Sequence, residues 1–342
     1  MNRARLAARR AAPSRKSKFF YGLWWLCAIG ACGWLVLRST TTQLPVSQAS
    51  AKLYSNQGGQ DLRLTIIDAI AQAKQSIHLV MFGLSDPPVL SALSAKRIPI
   101  NVYYDPNGSP SLWNALPFAK LHPVHSTGLM HQKILILDQE MVFLGSANMT
   151  TASLAMHDNL MIGLKSRPLA QFLIDKTPSS PGYFRTRIGG QEVEAWLLPD
   201  PRGHALSDLK RKIRAAKSSL KIALFTCTHP VLVDELIAAH KRGVFVMLVI
   251  DLHSGLGASS KAIQALKKEG IHVLMSRGVQ LLHHKFILID DQTLLTGSAN
   301  WTKAAFYKNS DCFLVLHKLN AEQKGFMSRI WRRIEAEAKP GV

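Results

Sequence analysis

Carboxylates are scarce in this chain. Its 342 residues hold 22 Asp and Glu against 42 Lys and Arg, a formal net charge of +20. That imbalance disfavours cationic partners and points to an anionic one: nucleic acid, acidic lipid headgroups or a phosphate-bearing substrate. Cysteine is scarce too. Four cysteines are too few for a disulfide scaffold. Cys27 and Cys32 fall in an apolar N-terminal run, while Cys227 and Cys312 read as buried thiols. An oxidising compartment would permit a bridge between the latter two. Several catalytic signatures are missing: no G-x-S-x-G elbow, no H-E-x-x-H pair, no Cys/His zinc spacing and no P-loop. Gly255 and Gly257 lack the third glycine of a dinucleotide fingerprint, so they belong to a rim loop.

What remains is globular, at 47% hydrophobic and 19% charged residues, and long enough for two domains or one duplicated unit. Residues 1–38 carry eight basic side chains and no acid, which leaves +12 on the rest. Within them, Phe19 to Leu37 contains 19 residues without a charge. A helix of that length crosses a hydrocarbon core of about 30 Å. The apolar run exceeds that of a cleaved signal peptide, and basic residues precede it almost exclusively. The expectation is a basic cytoplasmic segment (1–18), a single-pass transmembrane signal anchor (19–38), and a Ser/Thr/Gln-rich linker (39–56). The catalytic part then lies across the membrane from the N-terminus.

The remainder contains an internal repeat. Residues 131–148, HQKILILDQEMVFLGSAN, and 283–300, HHKFILIDDQTLLTGSAN, share every polar motif position at an offset of 152 residues. Each is preceded by a helix, an apolar strand, a second helix and another apolar strand, ending at Asp105 and Asp251. This is an α/β pattern, with expected lobes at 57–165 and 200–342 and an inter-lobe segment at 166–199. Side chains alternate along a strand, so His131 and Lys133 share a face, as do His283 and Lys285. A hairpin returning from Asp138 or Asp290 brings Ser146 and Asn148, or Ser298 and Asn300, back to the histidine end. An ammonium with neutral donors suits a phosphate or phosphodiester, and imidazole can attack or transfer a proton near neutral pH. Packing alone would preserve the apolar positions, yet Ile134 is replaced by Phe286 while the polar ones recur.

The doubled H-x-K-x(4)-D-x(6)-G-S-x-N motif resembles the phospholipase D superfamily, over nearly all of residues 60–317. The resemblance implies a two-lobed α/β/α sandwich with pseudo-twofold symmetry and one site at the lobe interface. It also implies a phosphohistidine intermediate, no required metal or other cofactor, and a monomer acting as an intramolecular pseudo-dimer. His131 maps onto the nucleophile and His283 onto the general acid. Lys133, Lys285, Asn148 and Asn300 map onto the phosphate clamp with Ser146 and Ser298, and Asp138 and Asp290 complete the catalytic motifs. Members usually carry N-x-E or N-x-D downstream to orient the imidazole; here Asn309 and Asp311 fit, but the first half has His157 and Asn159. A carboxylate favours imidazolium, so Asp311 is expected to keep His283 protonated while Asn159 leaves His131 neutral. Membrane tethering favours phospholipid hydrolysis. The alternatives are an endonuclease of the same superfamily, a cardiolipin synthase-like phosphatidyltransferase, and a non-catalytic lipid- or nucleic-acid-binding module.

Overall fold

The computed structural model describes Trp24, Trp25 and residues 42–342, except 111, 179, 278–279 and 341–342. The expected transmembrane segment therefore lies outside the described residues, apart from its two tryptophans. Among the described residues, no helix is long and apolar enough to cross a membrane.

Residues 44–342 form one unit built on two sheets. The first contains β1 (Lys52–Tyr54), β2 (Ile77–Met81), β3 (Ile100–Tyr104), β4 (Lys120–Pro123), β5 (Lys133–Leu137), β6 (Met141–Gly145) and β7 (Met161–Lys165). The second contains β8 (Gly182–Ile188), β9 (Gln191–Leu197), β10 (Ser219–Leu224), β11 (Phe245–Ile250), β12 (His272–Ser276), β13 (Lys285–Ile289), β14 (Thr293–Gly297), β15 (Cys312–Leu316) and β16 (Ala338–Pro340). Their orders are β1-β7-β6-β5-β2-β3-β4 and β16-β12-β11-β10-β13-β14-β15-β9-β8. The run β7-β6-β5-β2-β3-β4 thus recurs as β15-β14-β13-β10-β11-β12. The repeat in sequence is a repeat in topology.

Both faces of each sheet are buried, which explains the unbroken apolar runs. In β5, Ile134 and Ile136 enter the core between the sheets, whereas Leu135 and Leu137 face the outer layer. Phe286 and Leu288 of β13 likewise point inward, with Ile287 and Ile289 outward. Helices 62–72 and 87–94 cover the first sheet's outer face; helices 204–215, 230–241 and 260–268 cover that of the second. The inner core is completed by helices 167–176 and 321–337. This is a mixed α/β, two-sheet architecture. Cys227 and Cys312 are free and buried, and burial pushes both thiols up to about 12.

Two expected boundaries need correction. The linker 39–56 contains β1, which pairs with β7, so it is in part a strand of the first lobe. The inter-lobe segment 166–199 contains β8 and β9, and β9 pairs with β15, extending the second sheet. Strand β8 is an edge with alternating exposure, its Tyr183, Arg185 and Arg187 facing solvent.

The motif aspartates also need correction. Asp138 and Asp290 lie at the far ends of β5 and β13 from the histidines. Each sits in a turn with positive φ, of 53° and 52°, a conformation that Asp tolerates better than most residues. The Asp138 carboxylate accepts the backbone N–H groups of Lys74, Gln75 and Ser76 at 2.6–3.1 Å. Asp290 accepts those of Lys217, Ser218 and Ser219 at 2.8–2.9 Å. Burial works against both charges, but these amides hold both carboxyls below the usual range. They tie each hairpin to the start of the strand beside it and do not belong to the catalytic set.

Candidate active site

The hairpin geometry explains the Gly-Ser-x-Asn turn. A Cβ on Gly145 would lie 2.3 Å from the carbonyl oxygen of Leu160, and one on Gly297 would lie 2.2 Å from that of Cys312. Only glycine lets these strands approach so closely. The amides of Ser146 and Ser298 then donate to those same carbonyls, at 3.0 and 2.9 Å. Thr150 and Thr302, two residues beyond each Asn, cap the short helices 151–155 and 303–307. Each turn is fixed from both sides.

The segment before each motif lysine crosses to the other lobe. The amide of His131 donates to the carbonyl of Ser310, and that of His283 donates to the carbonyl of Asp158. The next residue along each partner segment therefore meets the opposite histidine. Nδ1 of His131 lies 2.8 Å from Oδ1 of Asp311, and Nδ1 of His283 lies 2.9 Å from Oδ1 of Asn159. This corrects the expected pairing: the carboxylate serves His131, and the amide serves His283. Serines 146 and 298 are fully buried, and their hydroxyls donate to Asn159 Oδ1 and Asp311 Oδ1 at 2.8 and 2.6 Å. They brace the orienting residues and are not positioned as phosphate ligands.

An ionised carboxylate only accepts, so His131 donates through Nδ1–H and keeps a lone pair on Nε2. Asn159 spends its amide N–H on the carbonyl of Ser153, so its oxygen likewise accepts from His283 Nδ1–H. Both Nε2 atoms are left for chemistry. The histidine rings meet Phe82 and Phe225 at centroid distances of 5.4 and 5.3 Å. The ammonium groups of Lys133 and Lys285 lie 5.1 and 5.2 Å above the same two rings. Each lysine also donates to the carbonyl of its own histidine, at 2.5 and 2.9 Å. These phenylalanines escaped the sequence reasoning, although each directly follows the apolar strand that precedes its lobe's second helix. Oδ1 of both Asn148 and Asn300 is buried without a partner, and their NH2 groups donate to no described residue. Those amides are available to a ligand.

Positive charge dominates the pocket, with the Asp311 carboxylate paired to His131 as its nearest counter-charge. Burial and the adjacent Lys133 lower the pKa of His131, against the opposing pull of Asp311. Burial, Lys285 and Lys133 lower His283 further, with no carboxylate to compensate. Lys133 falls to about 7 through burial, and Lys285 drops well below its ordinary value through burial and Lys133. Burial opposes the charge of Asp311, yet His131 and Ser298 hold its carboxyl below the usual range. A site that strains to keep its cations charged gains most from a bound anion. His284, by contrast, points away to Gln57 at 2.7 Å and is held neutral by burial, at about 3. Among the described residues, the one cluster with metal-ligand geometry is Glu192, Glu194 and His317. Its carboxylates are already paired with Arg185 and Lys212.

The chain also resembles known proteins in sequence and fold. The family described as "Cardiolipin synthase, PLD-like domain" matches residues 66–177 and 209–333. The chain is 33% identical over 153 residues to the mitochondrial cardiolipin hydrolase of Mus musculus, covering 41% of this chain and 67% of that protein. It is 27% identical to a phospholipase D of Rickettsia bellii, covering 43% and 72%. Both names denote phosphodiesterases of the phospholipase D type. The chain spans about half to two thirds of the length of the mammalian relatives it matches. The crystal structure of phosphatidylserine synthase from Haemophilus influenzae shares the fold, with a TM-score of 0.64 over 88% of this chain and 89% of that one, at 12% identity.

Proposed function

We propose, from the premise that this chain belongs to the phospholipase D-like family, that it hydrolyses phospholipid phosphodiesters through a phosphohistidine. The observation that carries this reading is the convergence of two His-Lys-Asn sets on one anion-seeking pocket, with both Nδ1 atoms tied and both Nε2 atoms free. Lys133, Lys285, Asn148 and Asn300 hold the non-bridging phosphoryl oxygens. His131 is the nucleophile, now for a different reason than the sequence suggested. Attack through Nε2 leaves positive charge on the ring, and Asp311 stabilises that charge through Nδ1–H. As the P–Nε2 bond forms and the bond to the leaving oxygen breaks, His283 gives that oxygen a proton. A water then yields its proton to His283 and attacks phosphorus, breaking the P–N bond and restoring both imidazoles. The approaching anion raises the low pKa of His283 by offsetting Lys133 and Lys285.

Two further observations support a lipid surface as the substrate source. The loops and short helices around the site carry exposed Leu129, Met156, Leu256 and Tyr307. Their carboxylates, Asp86, Asp105, Asp158, Asp200, Asp251 and Asp311, are all buried. An apolar rim whose carboxylates are buried suits an anionic bilayer. Residues 19–38 would anchor the chain in that membrane, with the catalytic part on the side opposite the N-terminus. The test offers the full chain, with chelator present, phospholipid vesicles plus ethanol in one tube and single-stranded DNA in another. Phosphatidic acid and phosphatidylethanol are expected. Nicked DNA with untouched lipid would overturn the reading in favour of a nuclease.

A further inference from the structure

A cavity of about 320 Å³ opens beside the candidate site, lined among others by Met156, His157, Asp251, His253, Ser276 and Leu281. The ring of His157 lies 6.1 Å from that of His283, so the cavity adjoins the general acid. Its most unusual member is Asp251. This side chain is buried, 3% exposed, beside an anion-binding pocket where a negative charge repels substrate. Oδ1 has a structural task, accepting the amides of His253 and Ser254 at 3.0 and 3.1 Å. Asp105 does the same for Asn107 and Gly108 in the first lobe, so turn formation accounts for one oxygen in each. Oδ2 of Asp251 accepts from no described group. Its charge acts instead across the pocket, opposing the depression of the Lys285 and His157 pKa values.

We infer that Asp251, with His157, His253 and Ser276, forms a subsite for a hydroxyl-bearing, polyol-type leaving group. The inference rests on the phospholipase reading and names the headgroup class. A free carboxylate oxygen accepts O–H donors, and the imidazoles and the hydroxyl supply further hydrogen bonds to the same group. A quaternary ammonium would require an aromatic cage, and the rest of the described lining is aliphatic or amide: Leu252, Leu281, Met156 and Gln280. The position also fits the chemistry. His283 protonates the leaving oxygen, so the alcohol carrying that oxygen departs on the His283 side, into this cavity.

The test compares kcat/KM for phosphatidylglycerol, phosphatidylcholine and phosphatidylmethanol in the same mixed micelles, with DNA as a separate substrate, using the full chain and Asp251→Asn. Asparagine keeps Oδ1 for the two loop amides and changes only the outward group. The native chain is expected to prefer phosphatidylglycerol, and Asp251→Asn to lower that preference at least tenfold. Ser276→Ala should lower it by a smaller factor. Equal losses on both lipids would overturn the inference, since Asp251 would then act only through Lys285. A native preference for phosphatidylcholine would overturn it as well. Cleavage of neither lipid, with DNA nicked, would overturn the phospholipase reading together with it.

Discussion

Replacing Asp311 with asparagine tests the assignment of roles most directly. The carboxylate is buried, 1% exposed, and 2.8 Å from Nδ1 of His131. With charge centres about 4 Å apart and an effective dielectric of ~20, it stabilises a ring cation by ~4 kcal/mol. That cation forms only as Nε2 attacks phosphorus, so the loss falls on the barrier and costs about 10³ in rate. Asparagine also presents an NH2 that can select the wrong tautomer, and an equivalent change in serine proteases costs about 10⁴. Asp311→Asn should therefore reduce single-turnover phosphoenzyme formation by three to four orders of magnitude, while vesicle binding persists. The decisive variant is the exchange, Asp311→Asn with Asn159→Asp. It moves the carboxylate to His283 without altering pocket volume much, and phosphoenzyme formation should recover at least tenfold over the single variant. Acid-quenched peptide mapping should place the label on His283 in the exchange and on His131 in the native chain. An exchanged enzyme that labels His131, or a single variant within fivefold of native, would refute the reasoning.

Three further outcomes follow from the geometry. Asp290→Ala removes four charged hydrogen bonds that are partly open to solvent, three from backbone amides and one from the Ser218 hydroxyl, and should cost about 2 kcal/mol in urea denaturation while activity per folded molecule persists. Loss of turnover without loss of stability would return Asp290 to the catalytic set. Turnover requires neutral His131 and protonated His283, and both imidazoles titrate below the usual 6.5. The protonated fraction of His283 therefore shrinks as pH rises, so the falling limb of kcat/KM should lie on the acid side of an ordinary imidazole's. Asn159→Asp raises the His283 pKa and should move that falling limb to higher pH; an unmoved limb would exclude His283 as the acid. Finally, His, Lys and Asn supply every step of the proposed chemistry, so EDTA should leave hydrolysis unchanged, and restoration of lost activity by a divalent cation would contradict the scheme.

Much of this architecture was legible in the sequence because two copies of one pattern restrict each other. Strands β5, β6, β13 and β14 declared themselves as apolar runs flanked by recurring polar residues. The recurring motif picked out Lys133, Lys285, Asn148 and Asn300, and the resemblance it carries mapped them onto a phosphate clamp. Three features did not. Strands β1 and β8 carry polar residues and lie at sheet edges, so composition left β1 in the linker and β8 in the inter-lobe segment. Asp138 and Asp290 recur as faithfully as the histidines, and recurrence cannot separate a residue kept for a turn from one kept for chemistry. Only their place at the opposite end of a five-residue strand does so. The pairing of Asp311 with His131 was hidden for another reason. Sequence offset relates Asp311 to His283, but the crossing backbone bonds at Ser310 and Asp158 hand each orienting residue to the other lobe.

That crossing makes the asymmetry of the site intelligible. With an Asp at both positions, two buried carboxylates would offset two lysines and leave the imidazoles nearly equivalent, so either could attack. Asn159 breaks the tie. It fixes the His283 ring as firmly as Asp311 fixes His131, at 2.9 against 2.8 Å, but adds no charge. His283 then feels Lys285 and Lys133 without relief and gives up its proton readily, which is what a leaving oxygen needs. His131 keeps a counter-charge for the cation it becomes. In the proposed mechanism, a single amide-for-carboxylate difference between otherwise matched halves thus separates nucleophile from acid. The same difference makes the site depend on its substrate: until a phosphodiester brings the missing negative charge, His283 has little reason to hold the proton it must deliver. Binding and protonation are one event, so a neutral isostere of the phosphodiester should fill the pocket without recruiting that proton.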